Sequence, residues 1–497
     1  MCQDDLWRNE RFGGIIRLDS IMEWIIPIIL FVVGANVYDS FSKKKTKPYY
    51  PTPIPNMPKP KPKLNQAIVD LTGIELSSEQ KFLFNLIETT KTNVFITGKA
   101  GTGKSVLLQY FKLNSKKNVV VCAPTGVAAL NVGGQTIHSL FKIKPGFVNK
   151  DELIPNFRTA ELLQHVDTVV IDEISMVRAD LMDAIDIILR KARRNSLPFG
   201  GVQVVMFGDL YQLPPVVEDK ELHKYFFDNL GGYYFFNADV WKNTNMDLYE
   251  LTNIFRQRDE TFKTVLNAIR EKKLTDEHLK LINNRTKAEI PPDGIITLAT
   301  TNQAVNEINQ TRLDQLPAKE SEYKALVMGD LEPSYFPTEE NLKLKVGAQV
   351  MFLKNDRDKR WVNGTIGKVE KLAPDEIRVN IDGISYPVPQ ETWKKIRYTY
   401  NRDTRKIDEE VISSFTQYPL KLAWALTIHK AQGQTYGQVV IDMGQGAFAH
   451  GQTYVALSRC KSLEGLYLKK EILYEDIQVD PLVVQFMSKT KPISISA

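Results

Sequence analysis

The stretch GKAGTGKS, residues 98–105, has the residue types that a loop needs to bind nucleotide phosphates. Its glycines let the backbone turn so that several N–H groups point at phosphate oxygens, and Lys104 can reach the β- and γ-phosphates. The hydroxyl of Ser105 suits a Mg²⁺ ligand. The residues of this loop that we predict to contact the nucleotide are Gly98, Lys99, Ala100, Gly101, Thr102, Gly103, Lys104 and Ser105.

A pair of carboxylates follows an apolar run further along the chain. In VDTVVIDEISMV, residues 166–177, Asp172 and Glu173 come directly after an apolar segment that is typical of a parallel strand buried on both faces. We expect Asp172 to hold the Mg²⁺ shell and Glu173 to polarise the attacking water. Two carboxylates beside a phosphate-binding loop favour hydrolysis over binding alone.

Donor side chains also follow the apolar run NVVVCAP. In APTGVAALNVGGQTIHSLF, residues 123–141, hydroxyl and imidazole donors come after this predicted strand, where parallel sheets bind ligands. A histidine such as His138 is structural in many proteins when it occurs alone. Within this string we favour a contact from His138 and Ser139 to the backbone of DNA.

Four further polar side chains suit contacts to a nucleotide. Gln80 precedes an amphipathic helix, and its amide can donate to and accept from an adenine edge at once. Gln212, in VQVVMFGDLYQLPPV, follows a predicted strand and can sense the γ-phosphate. Arg256 in LTNIFRQ and Arg459 in TYVALSRC carry guanidinium groups, which stay charged and bind phosphate with two parallel hydrogen bonds.

The elements that position these residues alternate between strands and helices. The run TNVFITG before the phosphate-binding loop is typical of a strand, and KSVLLQYFKL after it has apolar residues at helical spacing. The new helix directs its positive end at the phosphates. This order predicts an α/β fold with parallel sheets.

Seven strings in the chain occur in the order of one known family. They are GKAGTGKS, APTGVAALNVGGQTIHSLF, IDEISMV, GDLYQLPPV, IFRQ, TIHKAQGQT and YVALSRC, and the match runs from about Gln80 to Lys461. In this order they resemble the Pif/RecD-like branch of superfamily-one (1B) ATP-dependent DNA helicases. The resemblance implies an α/β fold of two RecA-like P-loop NTPase lobes, with a small SH3-like β-barrel inserted in the second lobe. The segments that we predict are 1–42, an N-terminal segment; 43–65, a linker; 66–255, the first lobe; 256–345 and 420–497, the two parts of the second lobe; and 346–419, the inserted barrel.

The resemblance also implies an activity and a set of site residues. It implies ATP hydrolysis with Mg²⁺, translocation 5′ to 3′ on single-stranded DNA, and unwinding of forked duplexes in DNA repair, recombination or replication. Arg256 and Arg459 would contact the γ-phosphate from the second lobe, and Gly433 would also contact ATP. The predicted DNA contacts are Thr125, His138, Ser139, His429 and Lys430. Phe141, Trp361 and Trp424 either stack on bases or pack in a core.

Composition narrows the class of protein. The 497 residues suffice for about three domains, and a net charge of +5 does not by itself indicate nucleic-acid binding. The three cysteines, Cys2, Cys122 and Cys460, form no C-x-x-C pair, so neither a disulfide framework nor a zinc site is indicated. This low number of cysteines without paired spacing fits a reducing compartment, and we expect the catalytic domains to be cytoplasmic.

The first 65 residues lie outside the resemblance. The apolar run WIIPIILFVVGANVY precedes KKKTK, a lysine-rich flank typical of the cytoplasmic side of a membrane. We therefore predict a membrane anchor at residues 22–38; the alternative is a helix that lies along the membrane surface or is buried. Met22 competes with Met1 as the true start. The segment 43–65 is rich in lysine and proline and is predicted to be an extended spacer.

Three other functions fit parts of the sequence. A nucleotide-gated scaffold would not need Gln212, Arg256 and Arg459 together. A membrane transport ATPase would need more than one apolar segment, and a fused nuclease would need a second acidic cluster. We expect a monomer without an obligate protein partner. The sequence leaves the physiological DNA open among forks, R-loops, G-quadruplexes and recombination intermediates.

Overall fold

A parallel sheet of six strands forms the centre of the first α/β unit. The computed structural model describes residues 75–495, apart from 218 and 258. The strands are β1 Asn93–Gly98, β2 Val119–Ala123, β3 Gln135–Thr136, β4 Thr168–Ile171, β5 Gln203–Phe207 and β6 Met246–Leu251. Their order across the sheet is β3-β2-β4-β5-β1-β6. Along β4, Val169 and Ile171 pack into one core and Val170 packs into another, so both faces of the sheet are covered.

Helices cover this first sheet. They are α1 Ser78–Thr89, α2 Lys104–Asn114, α3 Gly126–Asn131, α4 Ile137–Phe141, α5 Phe157–Gln164, α6 Ala179–Arg193, α7 Lys220–Leu230 and α8 Asp239–Lys242. Helix α1 begins with a capping box, in which the Ser77 hydroxyl accepts from the Gln80 N–H and the Gln80 amide oxygen accepts from the Ser77 N–H. Gln80 thus fixes the start of the helix that leads into β1.

The second part of the chain combines parallel and antiparallel strands. The strands are β7 Ile296–Ala299, β8 Ser321–Lys324, β9 Leu326–Met328, β10 Asn341–Leu344, β11 Gln349–Phe352, β12 Ile366–Ala373, β13 Glu376–Ile381, β14 Ile384–Val388, β15 Glu391–Asn401, β16 Lys406–Gln417, β17 Leu420–Leu422, β18 Ala425–Thr427, β19 Val439–Asp442 and β20 Leu466–Leu468. The helices are α9 Glu260–Arg270, α10 Asp276–Asn283, α11 Asn302–Asp314, α12 Gln452–Leu457 and α13 Pro481–Lys489. The strands β18-β7-β19-β20 form a second parallel sheet, the centre of the second α/β unit.

The predicted antiparallel region interrupts this second unit. Its sheets have the orders β14-β13-β12-β11-β17, β15-β16-β9 and β10-β8. The strand pairing runs from Ser321 to Leu422 and is therefore wider than the predicted segment 346–419, because β8 and β9 pair with later strands and β17 pairs with β11. The assignment of residues to domains stays a prediction.

The long hairpin β15–β16 packs on the first unit. The Tyr398 hydroxyl accepts a hydrogen bond from the Val121 N–H at 3.2 Å, on the buried side of β2. Near the hairpin tip the rings of Tyr400 and His165 stack with their centroids 3.5 Å apart. The antiparallel region therefore contacts the first unit although it is inserted in the second.

The C-terminal helix also packs on the first unit. Asp480 caps α13, and its carboxylate accepts from the hydroxyls of Tyr233 at 2.7 Å and Tyr234 at 3.0 Å. Burial alone would raise the pKa of Asp480, but hydrogen bonds from His450 and Tyr233 lower it to about 2. The segment 420–497, which the sequence assigns to the second lobe, thus ends against the first unit.

The N-terminal predictions fall outside the described residues. These predictions are the segment 1–42 with the anchor at 22–38, and the linker at 43–65. Within residues 75–495, no helix is both long enough and apolar enough to cross a membrane.

Candidate nucleotide and DNA site

Sheet order brings the predicted site residues to one edge of the first unit. The phosphate-binding loop follows β1, Asp172 and Glu173 follow β4, Gln212 follows β5, and Arg256 follows β6. Because β4, β5, β1 and β6 are neighbours in the parallel sheet, their carboxyl ends lie side by side. Residues that are far apart in the sequence therefore meet at a single cleft.

The phosphate-binding loop is held in a conformation that needs glycine. Gly101 has φ 85°, and a Cβ there would lie 2.3 Å from the Cβ of Arg256. Lys104 donates from Nζ to the carbonyl oxygens of Gly98 at 2.6 Å and Lys99 at 3.1 Å. Burial lowers the pKa of Lys104. A phosphate at this loop would offer the lysine an anionic partner.

Gln80, which the sequence predicts to contact the adenine base, lies against the phosphate-binding loop. Its Nε2 donates to the Gly103 carbonyl at 3.1 Å, and its Oε1 accepts from Ser77 at 3.0 Å. An amide has two N–H donors and two acceptor lone pairs, so one of each remains for a ligand. The adenine contact stays a prediction.

The two carboxylates are neighbours in a half-buried position. Burial and the neighbouring charge of Glu173 raise the pKa of Asp172 to about 7, and burial raises the pKa of Glu173. Ser105, in the first turn of α2, adds a hydroxyl oxygen. Carboxylate and hydroxyl oxygens are the ligands that Mg²⁺ takes in proteins, and a nearby cation would relieve the repulsion between the two carboxylates. The side chains present therefore fit this metal.

Two arginines of the predicted γ-phosphate site lie close together at the boundary of the units. Arg459 is 1% exposed and donates to the Val455 carbonyl at 2.9 Å and the Ser458 hydroxyl at 2.8 Å. Arg256 donates to the carbonyls of Ser458 and Gly433, each at 3.3 Å. Burial and the charge of Arg459 lower the pKa of Arg256 to about 9.

These arginines have carbonyl and hydroxyl partners but no ion pair. Among the described residues, neither Arg256 nor Arg459 has a carboxylate within ion-pair distance. Burying a guanidinium without an anion is costly, and phosphate matches its geometry with two parallel hydrogen bonds. The pair therefore fits a phosphate group that lies between the two units.

The structure adds a buried ion pair that the sequence did not predict. Asp209, in the string GDLYQLPPV, is 1% exposed, and Arg270, at the end of α9, is 3% exposed. Arg270 donates from Nη2 to Asp209 Oδ1 at 3.1 Å, and its guanidinium lies 4.3 Å from the ring centroid of Tyr211. Asp209 also accepts from Gln212 Nε2 at 3.2 Å, so the ion pair holds Gln212. Arg270 lies in an amphipathic helix that contains no recognisable motif, so nothing in the sequence indicated this ion pair.

Two further contacts between the units were also missed. The Tyr454 hydroxyl of α12 accepts from the Ala100 N–H at 3.0 Å, which places the second unit on the phosphate-binding loop. Gln432 Nε2 donates to Glu173 Oε2 at 3.1 Å and to Gln212 Oε1 at 3.2 Å. Tyr454 and Gln432 lie within the strings TYVALSRC and TIHKAQGQT. The strings therefore indicate that these positions matter, but they do not indicate the contacts that the two side chains make.

The predicted DNA residues lie at the carboxyl ends of strands in both units. Thr125, His138 and Ser139 follow β2 and β3, and His429 and Lys430 follow β18. The Thr125 hydroxyl accepts from the Ala128 N–H at 3.2 Å and so caps α3. Burial lowers the pKa of both His138 and His429, which favours neutral imidazoles at neutral pH. Their DNA contacts stay a prediction.

The three candidate stacking aromatics are core residues. Phe141 packs in the main core of the first unit. Trp361 and Trp424 pack in the core of the antiparallel region, where the Trp361 ring lies 4.4 Å from that of Phe352. Of the two alternatives, the structure favours core packing for all three. A half-buried aromatic-basic contact occurs elsewhere, where the Lys395 ammonium lies 4.2 Å from the ring centroid of Tyr335.

Comparison with protein families identifies two matching models. A model described as PIF1-like helicase matches residues 75–287. A model described as DNA helicase Pif1, 2B domain, matches residues 331–372. The second match lies within the antiparallel region.

Two characterised relatives cover most of this chain. The ATP-dependent DNA helicase PIF1 of Xenopus laevis is 34% identical over 428 residues, which are 83% of this chain and 64% of that protein. The ATP-dependent DNA helicase Pif1 of Bdellovibrio bacteriovorus is 32% identical over 428 residues, which are 83% of this chain and 92% of that protein. The chain thus spans less than two thirds of the length of the Xenopus relative.

Solved structures of Pif1 from Bacteroides have the same fold. The complex with ADP-AlF4 has a TM-score of 0.77 at 39% identity and covers 84% of this chain and 97% of that chain. The complex with ADP-AlF3 and single-stranded DNA has a TM-score of 0.61 at 40% identity, with the same coverage. These likenesses confirm the predicted α/β fold class and the predicted family.

The Asp209–Arg270 pair yields a prediction about stability. Arg270→Met should lower the free energy of unfolding by about 3–5 kcal/mol, because Asp209 would remain buried without its cationic partner. Adding Asp209→Asn should recover most of this loss, since the buried charge is then gone. Urea unfolding measures both variants. Arg190→Met is the matched control; its partner Asp186 lies four residues away in α6, and Arg190 is 35% exposed, so a smaller loss is expected. A double variant as unstable as Arg270→Met would contradict the charge argument.

Proposed function

The chain belongs to the PIF1-like helicase family, and on that premise we propose that it is an ATP-dependent DNA helicase. It hydrolyses ATP, translocates on single-stranded DNA and unwinds duplexes in DNA repair, recombination or replication. The direction, 5′ to 3′, is carried over from the family. Forked DNA, with a single-stranded arm beside a duplex, is the expected substrate.

One observation carries this proposal: the buried Arg459 and the half-buried Arg256 lie together at the boundary of two α/β units, and among the described residues neither has a carboxylate within ion-pair distance. The γ-phosphate of ATP would supply that anion while Lys104 and the loop hold it from the other side. Closure of the units then depends on a phosphate that hydrolysis releases. This dependence converts each hydrolysis cycle into one relative movement of the units.

The remaining residues have roles that follow from their positions. Ser105 and Asp172 would hold Mg²⁺, which supplies charge neutralisation at the β- and γ-phosphates when bound. Glu173 orients and polarises the attacking water. Gln212 senses the γ-phosphate from the end of β5, where Asp209 holds its amide.

The DNA is proposed to cross both units at the carboxyl ends of their strands. Neutral His138 and His429 would donate hydrogen bonds to phosphate or sugar, and the exposed Lys430 would add a charge. Ser139 and the backbone at Thr125 would contribute on the first unit. Contacts of this kind carry no sequence information, so the helicase would act on any sequence.

Strand displacement with tailed duplexes tests the proposal. We expect the wild type to unwind a duplex with a 5′ tail but not one with a 3′ tail, and its ATP turnover to rise with single-stranded DNA. Lys104→Ala should abolish both activities, because the loop loses the charge directed at the phosphates. Glu173→Gln should still bind ATP but turn it over about 100-fold more slowly, since the water loses its base.

Lys116→Ala is the control for these variants, because Lys116 is an exposed lysine in the turn after α2. It should behave as the wild type in both assays. ATP turnover without any strand displacement would favour a nucleotide-gated scaffold instead. Full turnover by Lys104→Ala would contradict the assigned ATP site.

We also propose that residues 22–38 tether the helicase to a membrane, with the catalytic units on the cytoplasmic side. The support is the apolar run followed by KKKTK and a Pro-rich spacer, all of which lie outside the described residues. Fractionation of the full chain beside a chain that lacks residues 1–63 tests this. The full chain should enter the membrane fraction and resist alkaline carbonate, and the shortened chain should be soluble and unwind DNA. Recovery of the full chain in the soluble fraction would exclude the tether.

A further inference from the structure

A compact turn after β18 lies between the predicted DNA contacts and the ATP site. We call residues 427–435 the 427–435 turn. The Thr427 hydroxyl accepts from the Lys430 N–H at 3.2 Å, and the Thr427 carbonyl accepts from the Ala431 N–H at 3.0 Å. The His429 carbonyl accepts from the Gln432 N–H at 3.2 Å. These bonds make the turn one stiff piece of backbone.

The side chain of Gln432 reaches from this turn into the first unit. Its Nε2 donates one hydrogen to Glu173 Oε2 at 3.1 Å and the other to Gln212 Oε1 at 3.2 Å. Both N–H groups of the amide are thus used on two residues of the first unit. Gln212 is held in turn by Asp209, whose carboxylate accepts from its Nε2 at 3.2 Å.

The two interface arginines contact the same turn. Arg256 donates to the Gly433 carbonyl at 3.3 Å, and Arg459 donates to the Gln434 carbonyl at 3.4 Å. A displacement of the 427–435 turn therefore acts on both groups that face the γ-phosphate position and, through Gln432, on Glu173. Among the described residues of the turn, Gln432 is the one whose side chain hydrogen-bonds to Glu173.

We propose that Gln432 is a positioning residue that couples DNA contact at His429 and Lys430 to the orientation of Glu173. This inference rests on the proposed function, in which DNA lies on the turn and Glu173 acts on the attacking water. The two predicted DNA residues precede Gln432 by two and three positions in the same hydrogen-bonded turn. DNA that shifts the turn moves the amide, and the amide moves the carboxylate.

The physical basis is the sensitivity of hydrolysis to the position of the base. A misplacement of about 1 Å in a catalytic group can slow a reaction by about 100-fold. A hydrogen bond to a charged group is among the stronger single contacts in a protein, so Gln432 can transmit such a displacement. If Gln432 transmits the effect of DNA in this way, its substitution should lower the DNA-stimulated rate of ATP hydrolysis without changing the binding of ATP.

The test measures ATP turnover with and without single-stranded oligonucleotide, together with KM for ATP and the affinity for the oligonucleotide. Gln432→Leu removes both N–H donors, and Gln432→Glu keeps the shape but replaces the donor with a charge that repels Glu173. Both variants should lose about 10-fold of the DNA-stimulated turnover, while KM and DNA affinity stay within about twofold of the wild type.

Gln434 offers a matched control within the same turn. Its Oε1 accepts from the Tyr436 hydroxyl, and Glu173 is not among its partners. Gln434→Leu should keep the wild-type stimulation by DNA. Equal loss in Gln432→Leu and Gln434→Leu would show a general disturbance of the turn and would overturn the proposal. A fall in DNA affinity that accounts for the lost stimulation would also overturn it, because Gln432 would then belong to the DNA surface.

The outcomes separate this inference from the proposed function. A wild type whose ATP turnover does not respond to DNA would contradict the proposed function itself. A wild type stimulated by DNA, with Gln432→Leu and Gln432→Glu stimulated equally, would contradict only the role of Gln432.

Discussion

The arrangement of this protein depends on two guanidinium groups at the boundary of its α/β units, one buried and one half-buried, that form no ion pair among the described residues. Arg256 and Arg459 donate to backbone carbonyls and a hydroxyl, which satisfy their hydrogen bonds without forming an ion pair. Lys104 faces the same cleft, where desolvation lowers its pKa. Glu173 and Asp209 act on Lys104 and Arg459 through their charges. The triphosphate of a nucleotide would add the direct ion-pair partner that the two guanidinium groups lack.

Parallel topology explains how one cleft collects these groups. The order β4-β5-β1-β6 brings four loops to one edge of the first sheet, and the loop that carries Arg256 leaves that edge to reach the second unit. The second unit also contacts the first: the Tyr454 hydroxyl accepts a hydrogen bond from the Ala100 N–H, and Arg270 forms an ion pair with Asp209. Each contact joins the two units across the cleft, so relative movement of the units must change the surroundings of the phosphates.

Sequence reasoning predicted the fold class, the family and the residues that local strings mark. The phosphate-binding loop and the Asp172–Glu173 pair can be recognised from the sequence, because the strand, turn and helix that position them lie in one short segment. Arg270 was not predicted, because its role arises only when α9 packs against the end of β5. The antiparallel pairing extends beyond the predicted segment 346–419, because β8 and β17 pair with strands that are distant in the sequence, and the domain bounds themselves stay a prediction. The aromatic residues Trp361 and Trp424 could not be assigned, because a buried ring and a stacking ring have the same sequence pattern.

We propose that a nucleotide phosphate is the anionic partner of Arg256 and Arg459. The most direct measurement is the ATP turnover of Arg459→Lys beside that of Arg285→Lys, an arginine of the second unit that donates to the carbonyls of Leu466 and Glu464. We predict that Arg459→Lys loses about 100-fold in turnover while its affinity for single-stranded DNA is kept, because lysine lacks the two-pronged contact to phosphate. Arg285→Lys should keep wild-type turnover. Unchanged turnover in Arg459→Lys, or an equal loss in both variants, would contradict a specific contact from Arg459 to the nucleotide phosphate.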